Sequence, residues 1–480
     1  MKKVIGYIPG EFSEERCLAK ILEAEKCANR HGYFLTVLYP GLKWYEADAA
    51  WKLDFLAGVG LNSVEALIID DEFVMDDSKV LSFTGDLWSK GKAVVLLESD
   101  TETYPAVSFD YHNAYLELIH HLPKEHNCTR IAAVGNSSED KKFTYLMDAY
   151  KEGLENAGIS FTDDFVISDF NSINRRNPAF VEFYRRVNPQ AIMCANDSVA
   201  ADVIDSLRIM GDGEASKCIV TGMGGVNVDD FRYRRITTGV RDIPAMMEKA
   251  FCLVDDSLNG NVVSMNHKIK CEPVFSESCG CIEPGTLGVS PEYADLLSWK
   301  LESISKVEDR QFIMGEALKN VEGADELSAV MQREIPDSSC LFLTKSIMRK
   351  YFNLCEEDYG ERKEGAHVIA DKLFQRLQGT GVSLKSFLQE FIDNPNNSAP
   401  LFVFTASGGH SLYGFLAFSS PDYAFRLFMM KSFMTNLCSH ISQHIRSKEL
   451  SGANRELAEN YSNIKKMQIR DAMTGLYNSK

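Results

Sequence analysis

Cys271, Cys279 and Cys281, in the stretch CEPVFSESCGC, come nearest to a metal-ligand pattern in this chain of 480 residues. A Cys-x-Cys pair offers two soft sulfurs, but a zinc site takes four donors, and in the sequence neither a second spaced pair nor a neighbouring His accompanies this one. The three therefore read as small core residues, with a metal or redox site as the alternative. The twelve cysteines are scattered through segments that read as strands and helices, as in a reducing compartment. There is no Walker loop, no H-E-x-x-H and no G-x-S-x-G; GMGGVN is a lone glycine cluster, and no nucleophile and base stand at useful spacing. No catalytic residue, metal ligand or cofactor is assigned.

A formal net charge of -17 repels phosphate backbones, and Lys141-Lys142, Arg175-Arg176 and Arg232 to Arg235 are short basic clusters of the kind found on solvated faces. No nucleic-acid partner is expected. No apolar run approaches the roughly eighteen residues that span a bilayer, and the apolar part of MKKVIGYIPGEFSEER is too short for a secretory signal. No membrane association is expected, and the expected location is the cytoplasm. With 45% apolar and 10% aromatic residues at this length, the chain should divide into roughly two to four domains of 100–200 residues each.

The elements follow from the hydrophobic pattern. KKVIGYIP, YFLTVLYP, VEALIIDD, KAVVLLES, YPAVSFD, RIAAVGN, QAIMCAND and CIVTGMG read as buried strands. Amphipathic helices separate them, over Asn113 to Leu122, Lys142 to Ala157 and Val199 to Met210 among others. Continuous apolar strands alternating with helices imply an α/β fold with doubly wound parallel sheets. Two sheets in series, with ESDTETYPAVSFD as the crossover, would face each other across a hinge, with a ligand cleft beyond the strands' carboxyl ends. Trp44 and Tyr45, after the second strand, would offer that cleft an apolar face or fold onto their neighbours as a surface loop.

The order of VIGYIPG, AEKCANRHGYFLTVL, VEALIID, AVVLLES, VSFDYHNAYLELIHHL, TRIAAVGN, AYKEGLENAGI, AIMCANDSVAADVIDSLRIMG, CIVTGMGG and ITTGVRDIPAMMEKA resembles the effector-binding core of the lactose-repressor family, itself similar to periplasmic sugar-binding proteins. The resemblance implies a two-lobed, type I periplasmic-binding-protein-like domain over residues 1–285 that takes a small effector. Together with the strand ends it points to Pro9, Phe12, Trp44, Asp110, Asn196, Asp197 and Gly224 as ligand-binding. Asn196-Asp197 matches the family's "AND" turn, whose acid commonly bonds ligand hydroxyls; the alternative is a helix cap before Ser198. Leu146 stands where the family usually has Arg, and Gly222-Met223-Gly224-Gly225 where it usually reads GFDD, so a typical sugar is not expected; the alternatives are a cleft that binds another protein's surface or one that binds nothing. Repressors of the family carry a helix-turn-helix before the first strand; here that strand begins at residue 3, which leaves no room for one.

From Tyr293 the pattern changes. Residues 286–310 read as a helical linker. ADELSAVMQREI, SSCLFLTKS and a hairpin of PLFVFTAS and LYGFLAFSS around Gly408-Gly409 resemble a GAF-type sensory domain over 311–424, with Cys340, Cys355 and His410 read as core thiols and a turn residue, contact with a bound cofactor being the alternative. A single helix is expected over 425–470, where Leu450, Leu457 and Ile464 stand seven apart as in a coiled coil, implying a homodimer. RDAMTGLYNSK closely resembles the D-x-L-T-G-L-x-N-R entry of a GGDEF domain, with Asp471, Met473, Thr474, Gly475, Leu476 and Asn478 in its positions. That resemblance implies the regulatory half of a diguanylate cyclase in cyclic-di-GMP signalling, with GTP and magnesium needed only by a catalytic domain beyond residue 480. The alternative is a ligand-binding adaptor that regulates transcription without a DNA-binding domain of its own.

Overall fold

A computed structural model describes residues 3–10, 15–39, 64–70, 77–137, 141–170, 178–211, 213, 215–225 and 235–283 and, with shorter breaks, 309–348, 366–408 and 411–469. It divides into two units, Met1–Val37 with Val64–Ser303, and Leu38–Ser63 with Ile304–Lys480.

In the first unit, buried apolar runs become strands. β1 (Val4–Ile8), β2 (Phe34–Tyr39), β3 (Ala66–Asp70), β4 (Ala93–Leu97) and β5 (Ala106–Asp110) lie in the order β2-β1-β3-β4-β5, each pair parallel. With α1 (Glu15–Arg30) and α2 (Asp77–Ser89) they form the first lobe. The second lobe has β6 (Ile131–Val134), β7 (Val166–Ile167), β8 (Ala191–Cys194), β9 (Ile219–Gly224) and β10 (Thr237–Arg241), again parallel, in the order β10-β9-β8-β6-β7. α4 (Lys141–Asn156), α5 (Pro178–Val187) and α6 (Asp197–Met210) connect its strands. Phe170, Phe180, Phe183, Ile192, Val203 and Val220 are among the residues of its core.

Three segments pass between the lobes. The sequence places the first crossover in the stretch that ends on β5; the structure instead pairs β5 with β4 as part of the first sheet, and the chain crosses in α3 (Tyr111–His126), longer at both ends than its apolar spacing suggests. The chain returns through α7 (Ile243–Leu258). Each crossover helix starts on an aspartate cap: Asp110 accepts from the Asn113 N–H at 3.3 Å and Asp242 from that of Ala245 at 2.9 Å. The third passage is β11 (Asn266–Val274), which runs parallel to β5 from Asn266 to Lys270 and antiparallel to β10 from Cys271 to Val274. One strand thus serves both sheets.

The second unit holds α8 (Ala324–Glu334) and an antiparallel sheet of β12 (Ser339–Thr344), β13 (Ala366–Asp371), β14 (Gly381–Val382), β15 (Leu401–Gly408) and β16 (Ser411–Phe418), in the order β14-β13-β12-β16-β15. The expected hairpin is present, with Gly408 opposite Ser411. Gly414 is demanded by its place: a Cβ there would lie 1.9 Å from the Phe342 carbonyl oxygen. Phe342 stacks on Phe415 with ring centroids 4.4 Å apart. α9 (Tyr423–Ile469) is the expected single helix. Cys340 is buried on β12, whereas Cys355, His410 and the C-terminal motif of 471–480 lie outside the described residues, as does nearly all of the expected linker. No helix among the described residues is long and apolar enough to cross a membrane.

Candidate functional site

The carboxyl ends of the first unit's strands bring together charges that are far apart in sequence. β3 ends on Asp70, and α1 directs Lys20 at it: Nζ donates to Oδ1 at 3.0 Å and Oδ2 at 2.8 Å, while the Tyr7 hydroxyl of β1 donates to Oδ2 at 3.2 Å. Lys20 has no solvent exposure and Asp70 only 2%. An ammonium cut off from water is tolerable because charge-assisted bonds replace its hydration.

Glu98 follows β4 with φ of 59°, a left-handed conformation that costs a non-glycine residue roughly 1–2 kcal/mol. Its carboxylate is held from several directions. The Tyr111 hydroxyl, at the start of α3, lies 2.9 Å from Oε1 and 3.0 Å from Oε2, Arg241 Nη1 is 3.4 Å from Oε1, and Lys20 Nζ is 3.9 Å from Oε1. Arg241, the buried last residue of β10, also donates from Nε to the Gly224 carbonyl at 3.3 Å, and its guanidinium lies 5.8 Å from the centre of the Phe109 ring. Two cations and two carboxylates therefore balance in a buried cluster at the strand ends. Glu98 joins Lys20 of the first lobe to Arg241 of the second.

The residues expected to bind ligand are distributed differently. Pro9 is buried directly after β1; Phe12 and Trp44, with Tyr45, lie outside the described residues. Asp110 caps α3, its Oδ2 also accepting from Asn113 Nδ2 at 2.6 Å. Asn196 caps α6 by accepting from the Val199 N–H at 2.9 Å. Asp197 has no solvent exposure and accepts from the Thr238 hydroxyl at 2.6 Å, inside the second lobe. The same carboxylate explains Gly222: a Cβ there would come 2.3 Å from Asp197 Oδ1. Leu146 is a fully buried core residue. Of the expected set, Gly224 touches the charged cluster, through its carbonyl, and Asp110 adjoins Tyr111.

Lys20, Asp70, Glu98, Tyr111 and Arg241 were not singled out by sequence. A signal was present for two kinds of them. Lys20 occupies the stripe of Cys17, Ile21, Ala24 and Ala28 that α1 buries, and Asp70 and Glu98 are acids placed directly at or after apolar strand ends.

No protein-family model matches the chain, and no curated protein matches it in sequence. Solved structures do match in fold. The lac repressor dimer bound to operator and the anti-inducer ONPF superposes with a TM-score of 0.50 at 14% identity, over 58% of this chain and 94% of that one. The transcriptional regulator CelR in its cellobiose complex gives 0.49 at 16% identity over 58% and 85%. Transcription regulator CcpA of Lactococcus lactis gives 0.49 at 17% over 58% and 99%. At 14% identity the likeness to the lac repressor is one of fold. The N-terminal part has a two-lobed architecture similar to that of the lac repressor.

Proposed function

We propose that the first unit binds a small polar effector between its lobes and that the chain is a regulatory protein whose partner reads the state of that cleft. The supporting observation is the Glu98 cluster, where groups from both lobes meet at the strand ends, the place where open parallel sheets take ligands. An effector there would replace or extend bonds that the lobes make with each other, and could favour one lobe arrangement only by its difference in affinity between the two. The fold likeness to transcription regulators supports an output through transcription by way of a partner macromolecule, the adaptor reading.

Transmission would run through a dimer. In α9 every residue of 449–465 is exposed, and Leu450, Leu457 and Ile464, at seven-residue spacing, are 67%, 66% and 55% exposed. An isolated helical stretch of about this length is marginal in water, so a paired helix supplies the missing stabilisation. A second reading, the sensory half of a diguanylate cyclase with a GAF-type middle domain, rests on the motif of residues 471–478. A Gly-Gly-(Asp/Glu)-Glu-Phe stretch in the reading frame past Lys480 would favour that cyclase, and a stop codon the adaptor.

The effector reading is tested by melting the chain with separate panels of sugars, nucleosides and amino acids. A ligand at a hundredfold excess over its dissociation constant adds about 2.7 kcal/mol, and that shift should vanish in Glu98→Gln. Unchanged melting with every panel would overturn the proposal.

A further inference from the structure

The fold supplies what the sequence could not show beside the Cys-x-Cys pair. Cys279 and Cys281 follow β11 in the first unit, and the C-terminal part of α3 brings His121 and His126 to them, so that one ligand atom of each of the four lies within 4.8 Å of the others. His121 Nε2 and His126 Nε2 are 3.0 Å apart, and Cys281 Sγ is 3.3 Å from the first and 3.5 Å from the second. Zinc bonds of about 2.3 Å to sulfur and 2.0–2.1 Å to nitrogen place tetrahedral ligand atoms roughly 3.3–3.8 Å from one another. His121, His126 and Cys281 already stand close to that spacing, and the Cys279 sulfur lies within 4.8 Å of all three.

We propose that His121, His126, Cys279 and Cys281 form a tetrahedral site for a thiophilic divalent cation, zinc by its coordination preference. Two imidazoles and two thiols are the donor set of a closed structural zinc centre, and a site of carboxylates, which would suit magnesium or calcium, is absent from this group. Local structure serves the same geometry. Gly280 between the cysteines has φ of 85°, a left-handed turn that brings adjacent thiols to one side. The His121 ring stacks on Phe275 at 3.9 Å between centroids, which fixes its plane. The helix also ends here, with Asn127 as its left-handed cap, and a cation beside the last turn of a helix is favoured by the backbone dipole. A loop merely tucked against a helix end has no need of four converging soft and imidazole donors.

This inference is independent of any effector. The metal would pin residues 276–283, where the first unit's described chain ends, to the far end of the helix that begins at Tyr111. Binding would displace the thiol protons to solvent, with no change of oxidation state.

The test uses the full chain, stripped with a chelator under reducing conditions and titrated with Co²⁺ alone and then Zn²⁺ alone. The expected result is one Co²⁺ per chain with thiolate-to-cobalt charge transfer and the intense visible bands of a tetrahedral site, both erased by stoichiometric Zn²⁺. Cys281→Ser and His126→Gln should each weaken binding by more than the ~10–100-fold typical of losing an outer-shell partner. His112→Gln, at a half-buried histidine on the same helix, should bind normally. Near-ultraviolet circular dichroism checks that each variant is folded, and His126→Gln alone decides if Cys281→Ser is not. A pale cobalt spectrum without sulfur bands, unchanged affinity in a folded ligand variant, or a Cys279–Cys281 disulfide in protein purified under reducing conditions would each overturn the proposal.

Discussion

Lys20 and Asp70 bury opposite charges in one pocket of bonds, and the arithmetic of such pairs is asymmetric. Removing one partner strands the other charge without water, which costs about 3–5 kcal/mol, whereas removing both can be close to neutral. Lys20→Met should therefore lower the stability of the chain to urea by about 3–5 kcal/mol. Adding Asp70→Leu should restore part of it, the remainder being the loss of an acceptor for the Tyr7 hydroxyl. A double-mutant cycle in urea unfolding measures the coupling, and additive losses would show that the pair does not act as one. Glu98 is a second test at this scale. Its left-handed backbone is held by a carboxylate bonded to Tyr111 and Arg241, so Glu98→Gly relieves the backbone but removes the bond to Arg241 of the second lobe. Small-angle scattering should then show a broader distribution of lobe separations than in the parent chain.

Between elements, α1 and α7 meet through His31, the residue that follows α1. Its Nδ1 lies 2.5 Å from Asp255 Oδ2 and its Nε2 3.1 Å from Glu248 Oε1; Tyr33 donates to Asp255, and Arg30 lies 2.5 Å from Glu248. Burial alone would lower the imidazole pKa, but the bonds to Asp255 and Glu248 and their charges outweigh it and raise the value above 6.5. Glu248 shifts the complementary way: burial would raise it, and the bonds from His31, Arg30 and Cys27 bring it below 4.5. The folded state therefore binds the His31 proton more tightly than the unfolded chain does. That stabilisation is fully present below pH 6.5 and is lost as pH rises through the raised value. The melting temperature of the parent should fall over that range more steeply than that of His31→Gln. The same scale shows what the sequence could reveal. VIGYI, ALIID, AVVLL, IAAV and AIMC are apolar because both faces of a parallel strand are covered, and each is found as a strand. NHKIKCEPV is not legible as a buried strand: charged residues flank Ile269 and Cys271, it contains Pro273, and it is mostly exposed or half-buried. The helix spacing was legible, but the bonding of Glu98 to Arg241, 143 residues apart in sequence, belongs to tertiary structure. So does the meeting of His121 with Cys281 across 160 residues.

For the molecule as a whole, the dimer reading makes a quantitative claim. Leu457→Glu places a charge at the centre of the exposed stripe of α9, while Ile441, in the buried first part of the same helix, stays untouched. Sedimentation equilibrium should show the parent as a dimer and Leu457→Glu with a dissociation constant at least ~10-fold higher, equivalent to about 1.4 kcal/mol of association energy, at unchanged helix content. A parent chain that stays monomeric at high concentration would leave the stripe without that role. The strand β11 carries a different consequence for the first unit. Its nine residues belong to two sheets at once, so a gene cut between the lobes leaves one fragment with a bare edge, β5 on one side or β10 on the other. Fragments made that way should aggregate singly and regain structure only when co-expressed, so the two lobes have to be engineered as one piece.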